Sequence, residues 1–207
     1  MEKKIFSDNE DISKIAFLNW RTSKQEDIGN MLALAEGYLD SAIQLAKDCL
    51  NNNDNKKADI LIFPIFTTAN HGIELYLKSL IWTLNKLLEL ELKIEGSHNI
   101  QQMHQTVEAK IKSFKGTEWL RDYRKQNLNL TEYIDELFDL ISVTEKKDNM
   151  DFSRYPLTNK YENHFYIDRL DNVKIDLENF VDRFERIKES LDERASYFFY
   201  QELKGEW

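Results

Sequence analysis

Leu170-Asp-Asn-Val173-Lys-Ile-Asp-Leu177-Glu-Asn-Phe180-Val-Asp-Arg-Phe184-Glu-Arg-Ile187-Lys-Glu-Ser-Leu191 is the stretch whose reading decides the fold class. Leu170, Val173, Leu177, Phe180, Phe184, Ile187 and Leu191 step by three and four residues in strict alternation, with charged residues between them. Only an α-helix returns such positions to one face, so the spacing predicts a helix with a coiled-coil-type seam. That seam either covers the chain's own core or meets a second copy. Composition extends the same reading to the whole chain. In 207 residues there are 6 Gly and 2 Pro, too few for the tight turns of a β-sandwich or barrel. A 42% hydrophobic fraction is enough for a real core.

Upstream, Ile28, Leu32, Ala35, Leu39, Ala42, Ile43, Ala46 and Cys49 recur at helical spacing behind Ser23-Lys-Gln-Glu26, a capping box, and predict a first helix over 24–50. A second and most apolar helix is expected over 58–92, with Pro64 near its start. Asn99 offers the cap of a third, striped by Ile100, Met103, Val107, Ile111 and Phe114, followed by a short helical piece over 119–125. Asn129-Leu-Thr-Glu132 opens a fourth, with Leu130, Ile134, Leu137, Phe138 and Ile141 inward, and Lys146-Lys-Asp-Asn149 closes it. The expected architecture is all-α, an antiparallel up-down bundle of about five helices forming one domain over 1–207. Residues 1–22 are an N-terminal extension whose Phe17, Leu18 and Trp20 dock on the body, and 150–168 form an irregular arm.

Charge and motif arguments narrow the chemistry. A net charge of −9 disfavours indiscriminate binding to polyanions or anionic membranes. The longest charge-free apolar stretch, Ile60 to Asn70, is far shorter than the ~20 residues that cross a bilayer, so no membrane association is expected. The single cysteine, Cys49, excludes an intramolecular disulfide and fits a reducing compartment, so the expected location is cytoplasmic. Phosphate-loop, dinucleotide and hydrolase-elbow signatures are missing from the sequence. His71-x-x-Glu74 stands alone and in the reverse order of a di-iron motif, so neither metal nor cofactor is expected.

The second helix carries the candidate site. At 100° per residue, Thr67, His71, Glu74, Lys78 and Asn85 fall within about 60° of one another, a polar stripe on an apolar helix. Burying that helix obliges Glu74 and Lys78 to find partners. The candidate catalytic residues are His71, Glu74, Lys78, His98 and Arg154, with Arg154 expected to pair with Glu74. A second candidate lies between residues 108 and 125. Lys110, Lys112, Lys115, Arg121, Arg124 and Lys125 outnumber Glu108, Glu118 and Asp122 there, and Phe114, Trp119 and Tyr123 are interleaved as faces on which bases could stack.

Phe63-Pro-Ile-Phe66, His71-Gly-Ile-Glu-Leu-Tyr-Leu-Lys78, Gly96-Ser-His98-Asn-Ile100 and Phe152-Ser-Arg154-Tyr-Pro156 together resemble stand-alone HEPN-domain proteins, over roughly residues 58–157. The resemblance implies an all-α bundle, a homodimer or a protein partner, and an RNA- or nucleotide-related function in a toxin–antitoxin or phage-defence setting. The activity it raises is metal-independent ribonuclease, which leaves the enzyme question open. Its Arg-x4–6-His motif is absent, Asn99 stands where the turn usually has Asp, and Ser153 interrupts the Phe-Arg-Tyr-Pro segment. The alternative reading is a non-catalytic dimerisation or protein-interaction module in which the same residues form a structural polar network.

Overall fold

The computed structural model describes residues 3–24, 26–91, 98–142, 152–158, 160–168 and 172–206. Regular structure among them is helical, apart from one isolated antiparallel bridge between Leu157 and Asn163. The helices are α1 (Asp27–Asn51), α2 (Ala58–Leu87), α3 (Ile100–Lys115), α4 (Thr117–Gln126), α5 (Leu128–Ile141), α6 (Phe165–Asp168) and α7 (Leu177–Ser196), the last continuing into a π-helical turn, Tyr197–Leu203.

The apolar stripes read from sequence are the buried faces. Ile28 to Cys49 on α1, Ile100 to Ile111 on α3, Leu130 to Ile141 on α5 and Phe180 to Leu191 on α7 all enter one core. The α7 seam therefore faces the chain's own interior and not a second copy. α2 is the central helix and meets α1, α3 and α7. By length and composition it could cross a membrane, but here it is a core helix. Pro64 lies inside it on the outward face, so the Ile60 carbonyl that loses its partner is exposed to water.

Local signals decided boundaries less well than stripes did. α1 starts at Asp27, not 24, because the Asn30 side chain exchanges two 2.8 Å hydrogen bonds with the backbone of Ser23 and holds that residue outside the helix. Asn99 is a true cap, its Oδ1 accepting the Gln102 N–H at 2.9 Å. α5 begins at Leu128, which places Asn129 to Glu132 inside it. Glu132 binds Arg183 at 3.1 Å instead of reaching back to a cap. α2 ends at Leu87, short of 92. α7 begins at Leu177 because the Asp176 carboxylate accepts the Glu178 and Asn179 N–H groups, leaving Val173 exposed in a non-helical segment. Leu170, residues 92–97 and Lys146 to Asn149 lie outside the described residues. Phe17, Leu18 and Trp20 do not dock. They are exposed, in a segment whose hydrogen bonds are local.

Helix directions correct the up-down expectation. α7 is antiparallel to α1, since Lys47 pairs with Glu185, Asp40 with Lys188, and Glu26 with Lys204 beyond the end of α7. α7 is parallel to α2: Phe66 packs on Phe180, and the Tyr76 hydroxyl donates to Asp192 at 3.1 Å. α3 begins beside Glu74 and ends beside Phe198 and Glu202, so it too runs parallel to α2. α2 and α3 are thus consecutive helices that run parallel. α4 then returns antiparallel to α3 around Gly116, whose φ of 90° favours glycine, and Arg124 clasps Glu108. The 152–168 segment crosses the first half of α2, with Phe152 against Phe66 and Tyr166 against Phe63.

The tightest contact is between α1 and α2. A Cβ on Gly72 would stand 2.8 Å from Leu39 Cγ, 3.1 Å from the Leu39 nitrogen and 3.2 Å from the Ala35 carbonyl. Gly72→Ala is expected to lower unfolding free energy by about 1–3 kcal/mol. Gly37→Ala, where nothing lies within 4 Å, should raise it by about 0.5–1 kcal/mol. Urea titration of both variants reads the difference, and equal effects would refute the close approach.

Candidate functional site

Three helical elements build the site around Glu74. It sits two residues beyond Gly72 on α2, where the backbone of α1 is closest, and is only 7% exposed. Lys78, one turn further, donates to Glu74 Oε1 at 2.7 Å. His98, just before α3, places Nδ1 3.0 Å from Oε1 and 3.2 Å from Oε2. His71 Nδ1 stands 3.9 Å from Oε2, a charge contact beyond hydrogen-bond reach. Tyr38 of α1 meets the His71 ring edge-on at 4.5 Å.

Burial alone pushes the Glu74 carboxyl up, but His71, Lys78 and His98 around it outweigh that and hold it at about 2. It is a fixed anion at any neutral pH. Nδ1 of His98 must then carry the hydrogen it donates to Glu74, and in a neutral ring so oriented Nε2 is the acceptor. The side chains differ in access: Lys78 is 14% exposed, His71 41% and His98 62%. The arrangement is a carboxylate-oriented imidazole at the surface, with a second imidazole and an ammonium beside it.

Of the candidate catalytic residues, His71, Glu74, Lys78 and His98 come together. Arg154 does not join them: it is exposed and forms no ion pair among the described residues. Its neighbour Ser153 is tied to Thr67 by a 2.9 Å hydrogen bond, two turns of α2 before Glu74, or about 10 Å along the axis. The expected Arg154–Glu74 pair is replaced by His98 and Lys78. Tyr38 was not legible as a site residue, because it lies on the outward side of the α1 stripe.

The basic stretch separates into paired and unpaired groups. Tyr123 is 1% exposed and offers no face to a base. Trp119 stacks on Tyr197 at 5.2 Å, and Phe114 packs on Phe198. Lys115 binds Glu202 at 2.6 Å, and Arg124 binds Glu108 through two hydrogen bonds. Lys112, Arg121 and Lys125 are exposed and Lys110 half-buried. Among the described residues no group of three or more His, Cys, Asp or Glu is placed to hold a metal ion. A groove of about 990 Å³ between α1 and α7, crossed by the Lys47–Glu185 and Lys188–Asp40 pairs, lies apart from the Glu74 cluster.

Comparison with protein families, curated proteins and solved structures finds no match for this chain.

Two buried groups, Glu74 and His104, make the fold acid-sensitive. Glu74 is depressed from 4.5 to about 2, so its contribution is complete above pH 4.5 and lost as pH falls towards 2. His104, buried on α3 against Tyr123 of α4, is depressed below 6.5 by burial, with Glu108 and Asp135 raising it and Arg124 lowering it. The unfolded chain takes up its proton first, so stability also falls as pH drops below 6.5. Urea midpoints measured against pH should decline in two stages. Glu74→Gln removes the lower stage and His104→Leu the upper; a single stage in the unmodified protein would contradict this assignment.

Proposed function

We propose that this chain is a HEPN-like helical protein acting on RNA or a nucleotide, in the toxin–antitoxin or phage-defence setting that the resemblance implies, with His98 as its proton-transferring group. The observation that carries the reading is the His98 ring, 62% exposed, held by Nδ1 on both oxygens of a buried, ionised carboxylate. A carboxylate that fixes one ring nitrogen leaves the other as a general base of fixed orientation.

In RNA cleavage by this route, His98 Nε2 takes the proton of a 2′-hydroxyl. The 2′-oxygen attacks the adjacent phosphorus, the bond from phosphorus to the 5′-oxygen breaks, and the products are a 2′,3′-cyclic phosphate and a 5′-hydroxyl. Protonated His71, on the same face of α2, supplies the proton to the leaving oxygen. Lys78 lends positive charge to the phosphate while remaining bound to Glu74. No metal takes part in these steps.

One observation favours a second reading, a non-catalytic interaction module. Lys78 is committed to Glu74 at 2.7 Å and Arg154 stays away, so the cluster is internally satisfied and holds no unpaired guanidinium for a phosphate. A homodimer belongs to both readings, and it would have to use a face other than the α7 seam.

Incubation of the purified chain with a mixed RNA pool, with chelator present, separates the two. The catalytic reading expects 5′-hydroxyl and cyclic-phosphate ends, lost at least about a hundredfold in His98→Ala and retained in Lys174→Ala, at an exposed position away from both candidate sites. Intact RNA with the unmodified protein, together with a Glu74→Gln variant that is only less stable, would leave the interaction module standing.

A further inference from the structure

α3 is 16 residues long, so its far end lies about 24 Å from His98. There α4 and the last turn of α7 form a pocket of about 400 Å³ lined by Trp119, Asp122, Lys125, Gln126 and Arg194. Arg194 is its most unusual member. Its Nε is buried without a hydrogen-bond partner, and its guanidinium forms no ion pair among the described residues. Its guanidinium lies over the Trp119 ring, with Cζ 5.9 Å from the ring centroid.

Two neighbouring cations, Lys115 and Arg124, are already satisfied, which makes this isolation informative. Glu202, carried on the π-helical turn, accepts from both Lys115 and the Tyr197 hydroxyl. Arg124 is held by Glu108. π-helical turns are frequent at functional sites, and this one directs Tyr197 onto Trp119 and Glu202 onto Lys115, leaving Arg194 without a carboxylate. Asp122, the one acidic residue lining the pocket, has Arg121 at 4.0 Å and is outnumbered there by Lys125 and Arg194. An indole wall, a side-chain amide and two cations around a small cavity suit a ligand that is aromatic at one end and anionic at the other. The guanidinium matches a phosphate in bidentate geometry, and the volume lies at the small end of ligand pockets, about 300–1,000 Å³.

We propose that this pocket binds a nucleoside monophosphate, with the base against Trp119 and Gln126 and the phosphate on Arg194 and Lys125. The same chemistry is offered by a free nucleotide and by the 5′-phosphorylated end of an RNA. The site is independent of cleavage at His98, so binding is measured directly and a failure of the ribonuclease reading does not touch it. Calorimetric titration of the full chain with adenosine 5′-monophosphate, adenosine, inorganic phosphate and oligoadenylates bearing a 5′-phosphate or a 5′-hydroxyl identifies the ligand. The monophosphate should bind more tightly than adenosine or phosphate alone. Arg194→Gln should weaken it about tenfold or more, and Arg194→Lys should restore part of the loss. Lys125→Ala, at an exposed position, should weaken it without altering stability. Arg186→Gln, an equal change of charge elsewhere on α7, should leave it unchanged. Binding of the 5′-phosphorylated oligomer but not of the mononucleotide assigns the pocket to an RNA end. Absence of binding by all probes at millimolar concentration, or equal affinities in the unmodified, Arg194→Gln and Lys125→Ala proteins, overturns the proposal.

Discussion

At Gly72 the backbones of α1 and α2 approach until a methyl group would meet the Ala35 carbonyl at 3.2 Å. The small buried residues Ala35, Ala42 and Ala46 on α1 and Ala69 on α2 allow that approach. Close packing of this kind is unforgiving, because a protein interior at crystal-like density has no slack to absorb an extra carbon. The contact also fixes what lies beside it. His71 and Glu74 flank Gly72, so the seating of α1 puts Tyr38 against His71 and removes Glu74 from water.

A buried carboxylate on the central helix then constrains the rest of the bundle. Left alone it would be protonated or would unfold its surroundings. Lys78 supplies one donor from the same helix, and the second must come from elsewhere in the chain. His98 supplies it at the entrance to α3, which is why α3 starts level with Glu74 and not at the end of α2. The consequence is a parallel pair of consecutive helices. Electrostatics at one residue and topology of the whole bundle are thus linked through a single pair of contacts.

At the other end of α3 the basic stretch illustrates how pairing, not composition, decides what a charged surface can do. Six cations crowd a short sequence, yet Lys115 and Arg124 are tied to Glu202 and Glu108. The aromatic residues between them are used as packing: Tyr123 is interior and Trp119 is stacked on Tyr197. Arg194, from a different region of sequence, is the guanidinium left over.

The sequence by itself determined the helical class, the inward face of each long helix and the need of Glu74 for partners. These are properties of a few neighbouring residues: a 3.6-residue period from Ile28 to Cys49 or from Leu177 to Leu191 writes the buried face directly, and a carboxylate on an apolar helix carries its desolvation penalty wherever it is packed. Helix starts were less legible, because the start of α1 depends on the Asn30 side chain holding Ser23 outside the helix and the start of α5 on the pairing of Glu132 with Arg183. Only the tertiary structure decided that His98 and not Arg154 answers Glu74, that α3 runs parallel to α2, and that Arg194 shares a pocket with Trp119. Each of these joins residues far apart in the chain. Local periodicity holds no information about which distant side chain wins a competition for one buried carboxylate, since that is settled by how close two helices can approach and where the intervening chain can reach.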